Sequence, residues 1–220
     1  MAKEIPLTDI VIADWGLLDY EESFHRQQQL VEKRLQGEGD DTLVLVEHPP
    51  VVTLGRRASG DDLRVSVDEF SESGIALRNI NRGGLATAHE PGQLVAYPIV
   101  ALKRKDLRWF ADGLLNAVIA LLADYGLEGN LKEGEPGVWV NGRKICSFGI
   151  AVKKWVSCHG IALNVNNDLQ TFHMIVPCGR PDEQVTSVSS ELGEQVDLKE
   201  LGECFCQHFL RIFAYRQKAC

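Results

Sequence analysis

Along this chain of 220 residues the apolar positions alternate in some segments and recur at helical spacing in others. Thr8 to Ala13 reads as a strand. Leu17 to Leu35, rich in Glu, Gln, Leu and Arg, predicts a helix that ends at Gly37. Asp40-Asp41 reads as a turn, and Thr42 to Glu47 alternates so little that it predicts a buried strand. Val51 to Leu54 is a second short strand, after which Gly55 lets the chain turn. Ser66-Val67-Asp68-Glu69 carries a capping box, and Gly74 closes the short helix it opens. Ile75 to Asn79 and Leu94 to Val100 predict two more strands. Apolar residues at Phe110, Leu114, Ala117, Val118, Leu121 and Leu122 give Trp109 to Tyr125 one buried helical face, stopped by Gly126. Cys158 to Val165 is a long apolar strand, followed by a turn at Asn166-Asn167-Asp168. Thr186 to Leu192 predicts a short helix, and Leu198, Leu201, Phe205, Phe209, Ile212 and Phe213 mark a final one.

The sharpest local signal is Gly137-Val138-Trp139-Val140-Asn141-Gly142-Arg143-Lys144-Ile145-Cys146. Asn-Gly between two alternating runs predicts a hairpin. Lys144 then stands near the start of the return strand. If Ile145 faces the core, alternation sends Lys144 and Cys146 to the opposite face. Hairpins and crossovers together predict an α+β fold with a mixed, largely antiparallel sheet and flanking helices. No repeat or low-complexity linker interrupts the chain, which reads as one domain over residues 1–220.

Composition narrows the classes. A chain that is 45% hydrophobic and 25% charged is an ordinary globule. No stretch approaches the ~20 apolar residues of a membrane span. Met1 to Asp14 carries early charges and no long apolar run, so no signal peptide is expected. A net charge of −8 argues against a nucleic-acid partner. Six cysteines, at 146, 158, 178, 204, 206 and 220, show no C-x-x-C pair and no zinc spacing. Reduced thiols in a cytosol are the simplest expectation. Cys204 and Cys206 fall in one helix, where residues two apart do not face each other, so they read as packing or surface thiols.

Cys178 differs from the other thiols because it sits between Pro177 and Gly179. Pro fixes one torsion and Gly permits a sharp turn, which presents the thiol. A thiol of pKa ~8.5 is only about 3% thiolate at pH 7. An ammonium about 4 Å away, at an effective dielectric near 20, interacts by ~4 kcal/mol. That suffices to lower the pKa by about two units at ~1.36 kcal/mol each. A Lys144–Cys178 pair is therefore physically adequate for an acyl-transferring thiol if the fold brings the two together.

Five segments in order carry a family resemblance. Arg82-Gly83-Gly84-Leu85-Ala86-Thr87-Ala88-His89-Glu90-Pro91-Gly92-Gln93 resembles the Arg-Gly-Gly motif of the lipoyl(octanoyl) transferases. Gly137 to Gly149 is similar to that family's lysine motif. His159-Gly160-Ile161-Ala162-Leu163-Asn164-Val165 and Pro177-Cys178-Gly179 resemble two further signatures. Glu47-His48-Pro49 with Thr53-Leu54-Gly55-Arg56 resembles a fifth. One departure stands out: Glu90 occupies a position where the family pattern has glycine. It is expected either to point into the pocket near Lys144 or to face solvent from a turn.

The resemblance implies a biotin/lipoate ligase-like fold. It implies transfer of an octanoyl group from octanoyl-acyl carrier protein to the target lysine of lipoyl domains. Those domains belong to 2-oxoacid dehydrogenases or to the glycine cleavage H protein. Cys178 would be the nucleophile and Lys144 its partner. Arg82, Gly83, Gly84, Leu85, Ala86, Thr87, Ala88 and His89 would bind substrate, as would Ser147, Phe148, Gly149, Gly160, Ile161 and Ala162. A thioester is already activated, so no metal, ATP or bound cofactor is expected, and the setting is cytoplasmic without a membrane or nucleic-acid partner. Arg82 could instead pair with a nearby Asp. Lys103-Arg104-Lys105, Arg108, Lys153-Lys154, Arg56-Arg57 and Arg143 are either solvated or a basic rim for the acidic carrier. His25, His173 and His208 have no assigned role. Rival readings are a Cys–His dyad using His89 or His159, an ATP-dependent ligase of the same fold, and a non-catalytic carrier-binding protein.

Overall fold

The computed structural model describes residues 7–218, with the backbone but not the side chain of Cys178. The first six residues of the expected unsignalled N-terminus and Cys220 lie outside the described residues. The chain runs β1 (Thr8–Leu17), α1 (Tyr20–Leu35), β2 (Asp41–Glu47), β3 (Val51–Leu54), α2 (Val67–Glu72), β4 (Ala76–Asn79), β5 (Ala86–His89) and β6 (Gln93–Ile99). It continues with α3 (Leu107–Asp124), β7 (Asn130–Lys132), β8 (Glu135–Val140), β9 (Arg143–Lys153), β10 (Val156–Asn164), α4 (Val188–Leu192), α5 (Leu198–Phe213) and β11 (Tyr215–Gln217).

Eight strands form one sheet in the order β11-β1-β2-β6-β10-β9-β8-β7, and β4-β3-β5 form a second. In the large sheet β1 pairs in parallel with β2 and β11, and the other pairings are antiparallel. This is the expected α+β class. Both faces of the large sheet are covered. Leu43, Leu94, Ala96, Ile161 and Leu163 pack under α3 and α5. Their neighbours Val44, Val46, Val95, Tyr97 and Ala162 pack with Val31 of α1 on the other face. Two covered faces explain why β2 reads as nearly continuous apolar sequence. The small sheet has its own core, where Val52, Ala86 and Ala88 meet Phe70 of α2, Phe172 and Ile175. No helix among the described residues is long and apolar enough to cross a membrane.

Several boundaries differ from expectation for local reasons. Helix α1 starts at Tyr20 because the Asp19 carboxylate accepts from the amides of Glu21 and Glu22, so Leu17 belongs to β1. Asp41 is buried within β2 rather than in a turn. Its carboxylate accepts from Arg34 Nε at 2.9 Å, the Ala101 amide at 2.8 Å and the Tyr215 hydroxyl at 2.9 Å. Helix α4 begins at Val188, capped by Ser187. The capping box at Ser66 and Glu69 forms as expected.

The predicted hairpin is present, with Asn141 at φ 50° and Gly142 at φ 78°. Both left-handed torsions are those of a type I′ turn. The alternation rule fails one residue later. Trp139 pairs with Lys144 and Val138 with Cys146, so Ile145 is the extra residue of a bulge. Ile145 and Cys146 both join the core under α3 and α5, and Cys146 does not share the side taken by Lys144.

Candidate active site

A cavity of about 270 Å³ opens between the two sheets. Its walls come from β5, β6, β9 and β10, from Tyr20 at the head of α1, and from Gly134 with the start of β8 at Glu135 and Pro136. Of the expected substrate-binding residues, Arg82, Gly84, Leu85, Ala86, Thr87 and His89 line it. So do Ser147, Phe148, Gly149, Gly160, Ile161 and Ala162. Gly83 and Ala88 lie behind the wall: the Gly83 amide donates to the Ile150 carbonyl at 3.1 Å, and Ala88 is fully buried in the small core. Thr87 Oγ1 donates to Ser147 Oγ at 3.3 Å, tying the sheets together across the cavity.

Lys144 lines the cavity although it is only 3% exposed. Its Nζ donates to the Pro136 carbonyl at 3.1 Å. Its backbone is held from both directions: its amide donates to the Gln184 carbonyl at 2.8 Å, and its carbonyl accepts from the Thr186 amide at 2.9 Å. Gly137 must be glycine, because a Cβ there would stand 2.8 Å from Lys144 Cε and 2.6 Å from the Cys146 carbonyl oxygen.

Pro177–Gly179 forms a single 3-10 turn, as the Pro-Cys-Gly sequence predicts, with Gly179 at φ 70°. The turn is backed by the cavity wall: a Cβ on Gly179 would come within 2.8 Å of Leu85 Cδ1. Arg180, two residues beyond Cys178, lines the same cavity as Lys144.

Arg82 is tied to the small sheet and to its own loop. Its Nη2 donates to the Thr53 carbonyl at 2.7 Å and to Thr53 Oγ1 at 2.9 Å, and its Nη1 donates to the Gly83 carbonyl at 2.9 Å. It is 7% exposed, and one edge still reaches the cavity. Gly55 and Gly149 leave it room, since a Cβ on either would approach its side chain to 2.9 or 3.0 Å. The cluster can therefore present a fixed cation to a substrate.

His89 and His159 line the cavity, and His48 packs edge-on against His89 behind it. His48 Nδ1 donates to the Leu18 carbonyl at 2.7 Å, leaving Nε2 to accept from the Tyr97 hydroxyl at 2.9 Å. His89 Nδ1 donates to Gln93 Oε1 at 2.8 Å. His159 Nε2 donates to Asn81 Oδ1 at 2.7 Å, and its ring stacks on Phe24. His159 holds a left-handed φ of 61°, uncommon for a side-chain-bearing residue. Burial lowers His48 to about 4 and His159 to about 3, and holds His89 well below its ordinary range. Rings so committed and so weakly basic are poor proton acceptors for a thiol, which weighs against a Cys–His dyad.

Glu90 follows neither expectation. It is 4% exposed and does not line the cavity. Its carboxylate accepts from Asn167 Nδ2 at 2.9 Å and from the Thr171 amide at 3.1 Å. It anchors the turn between β5 and β6 to the loop after β10. The basic run is also explained locally, because Lys103 donates to Thr8 Oγ1 and Arg104 to Asp106. Neither lines the cavity, whereas Arg57 and Arg180 do. Tyr20, Val95, Tyr97, Gly134, Glu135 and Pro136 are lining residues that sequence reasoning missed. A tyrosine inside the wholly buried β6 was the available signal, since a buried hydroxyl needs a partner.

Comparison with known proteins agrees with this architecture. Residues 19–210 match the family described as Lipoyl protein ligase A/B catalytic domain. Among solved structures, lipoate-protein ligase A bound with ATP superposes with a TM-score of 0.75 at 17% identity, covering 97% of this chain and 89% of that one. Biotin protein ligase from Aquifex aeolicus gives 0.55 at 14% identity, covering 94% and 70%. The fold is that of the biotin and lipoate ligases. The chain is 43% identical over 205 residues to an octanoyltransferase of Nitratidesulfovibrio vulgaris strain Hildenborough, covering 92% of this chain and 94% of the relative. It is 46% identical over 185 residues to that of Rubrobacter xylanophilus, covering 83% and 84%. The chain belongs to the octanoyltransferase family.

Proposed function

We propose that the protein carries octanoyl groups from octanoyl-acyl carrier protein to the target lysine of lipoyl domains through a thioester on Cys178. The acceptors are lipoyl domains of 2-oxoacid dehydrogenases or the glycine cleavage H protein. The observation that carries this reading is the cavity, where the buried Lys144 and the segment immediately after Cys178 share one wall. The whole chain serves as one catalytic domain.

In the first step the Cys178 thiolate, stabilised by the Lys144 ammonium, attacks the thioester carbonyl. The backbone amide of Cys178 or that of Gly84 faces the developing oxyanion. The carrier's sulfur leaves and takes a proton from Lys144. In the second step the acceptor amine attacks the octanoyl-enzyme, its proton passes to Lys144, and the Cys178 thiolate is restored. The other described thiols support this choice. Burial pushes Cys146, Cys158 and Cys206 up to about 12, which keeps them protonated and unreactive. The free cysteines also suit a reducing cytoplasm. Lipoate and biotin protein ligases resemble this chain at 13–18% identity, which supports likeness of fold and not of reaction.

Intact mass spectrometry after mixing with octanoyl carrier protein tests the reading. One octanoyl group is expected, labile to hydroxylamine, formed without ATP and lost in Cys178→Ala. An adduct that survives in Cys178→Ala overturns the nucleophile, and acylation that needs ATP overturns the reaction class.

A further inference from the structure

Away from the cavity, the structure brings together three side chains that lie far apart in sequence. Asp124 ends α3, while Cys204 and His208 stand one turn apart on α5. Cys204 Sγ donates to Asp124 Oδ2 at 3.1 Å, and His208 Nε2 donates to the same oxygen at 2.6 Å. The three potential ligand atoms lie within 4.8 Å of one another. None of the three residues lines the cavity.

We propose that Asp124, Cys204 and His208 form a binding site for a divalent transition-metal ion of the zinc class, which staples the end of α3 to α5. One thiolate, one imidazole and one carboxylate form a donor set that suits zinc. Tetrahedral zinc with bonds of about 2.0–2.3 Å needs ligand atoms about 3.4–3.6 Å apart. Opening the two hydrogen bonds by roughly an ångström or less provides that spacing. The fourth position falls to water or to Glu200, one turn before Cys204 on the same helix face.

Proton changes accompany binding. Cys204, held protonated at about 11 by burial and by Asp124, releases its thiol proton to solvent as the sulfur–metal bond forms. His208 moves its proton from Nε2 to Nδ1, freeing the Nε2 lone pair. Arg211 Nη2 lies 2.9 Å from His208 Nδ1 and must turn away, which its exposed position allows. Asp124 is half-exposed and Cys204 partly so, which gives an ion access.

Cobalt supplies a spectroscopic test on the full chain. Titration with Co²⁺ alone is expected to load one ion per chain and to give a thiolate-to-cobalt band in the near ultraviolet. The band is expected to persist in Cys178→Ala, to vanish in Cys204→Ser and to weaken in Asp124→Asn. Zn²⁺ is expected to displace the cobalt and to raise the Tm of the parent but not of His208→Ala. Octanoyl transfer is expected to be unchanged in Cys204→Ser. A parent that shows neither band nor Tm shift overturns the site, as does a band that survives in Cys204→Ser or disappears in Cys178→Ala.

Discussion

The Lys144 ammonium lies 5.0 Å from the centroid of the Trp139 ring, and the two residues are partners across the β8–β9 hairpin. The two-residue turn at Asn141-Gly142 sets this pairing, with Val140 opposite Arg143 and Trp139 opposite Lys144, and the bulge at Ile145 shifts the register only beyond it. Trp139 is itself fixed: its Nε1 donates to Glu183 Oε1 at 2.7 Å, and Lys132 stands 4.8 Å from the ring and 3.6 Å from the same carboxylate. One ring, the carboxylate that holds it and the Lys132 cation thus surround the position of Lys144.

Trp139→Phe keeps an aromatic face but removes the donor to Glu183, whose side chain is only 3% exposed. Leaving a buried acceptor short of a partner costs about 1–3 kcal/mol. The variant is expected to lose that much in urea unfolding. Lys144 would lose its fixed neighbour as well, so kcat for octanoyl transfer should fall several-fold with KM little changed. Parent values for both stability and kcat would show that Trp139 does not position the lysine.

The buried histidines predict a pH dependence of stability. Each is neutral in the fold, with His48 at about 4, His159 at about 3 and His89 also held low. In the unfolded chain each titrates near ~6.5. Between about pH 6.5 and 4 the unfolded chain binds more protons than the folded one, so stability falls as pH falls through that window. Above about pH 7 these groups contribute no pH dependence. Each site contributes up to ~1.36 kcal/mol per pH unit. The urea midpoint should therefore drop steeply from pH 7 to pH 5. His89→Gln should reduce proton uptake on unfolding at pH 5 by about one. An equal slope in the variant would show that His89 is protonated in the fold.

Much of this was legible in the sequence because it is local. The Asn141-Gly142 turn, the Ser66 capping box and the α5 periodicity depend on neighbours within a few residues. Strands β7 and β11 span three residues each, too few for any period to register. The fate of Glu90 depends on Asn167 and Thr171, about eighty residues away, and no spacing rule reaches that far. The bulge at Ile145 was hidden for another reason. A bulge changes the facing of residues without changing their hydrophobicity, so alternation assigned Cys146 to the wrong side. The motif segments did find most of the cavity wall, but Tyr20 and Tyr97 reach it from elements whose sequence reads as ordinary packing.

Glu90 yields a prediction opposite to that of a pocket carboxylate. It anchors one loop to another from a buried position, so Glu90→Gly removes both acceptors from Asn167 and Thr171. Stability should fall by about 1–3 kcal/mol for the donors left unpaired. The rate of octanoyl-enzyme formation on folded protein should stay near that of the parent. A faster rate with unchanged stability would return Glu90 to the catalytic pocket.

Carrier docking should depend on the cations beside the cavity rather than on the Lys103–Lys105 run. Arg57 and Arg180 are exposed residues whose side chains line the opening, and Arg180 is braced by Glu135 at 2.9 Å. Lys103 and Arg104 are already engaged with Thr8 and Asp106, and neither lines the cavity. An acidic carrier that delivers a thioester into the cavity must bring its surface close to Arg57 and Arg180. Exposed charges interact over about 8 Å at physiological salt, so cations beyond that range contribute little. Arg57→Glu with Arg180→Glu is expected to raise KM for octanoyl carrier protein at least tenfold, with kcat within about twofold of the parent. The increase should shrink as salt is added, because the charge reversal acts through a screened interaction. Lys103→Glu with Arg104→Glu is expected to change KM less than twofold. Steady-state kinetics of the two double variants at low and high salt decide between the surfaces. A larger KM effect from the Lys103 pair would move the docking site to the turn before α3.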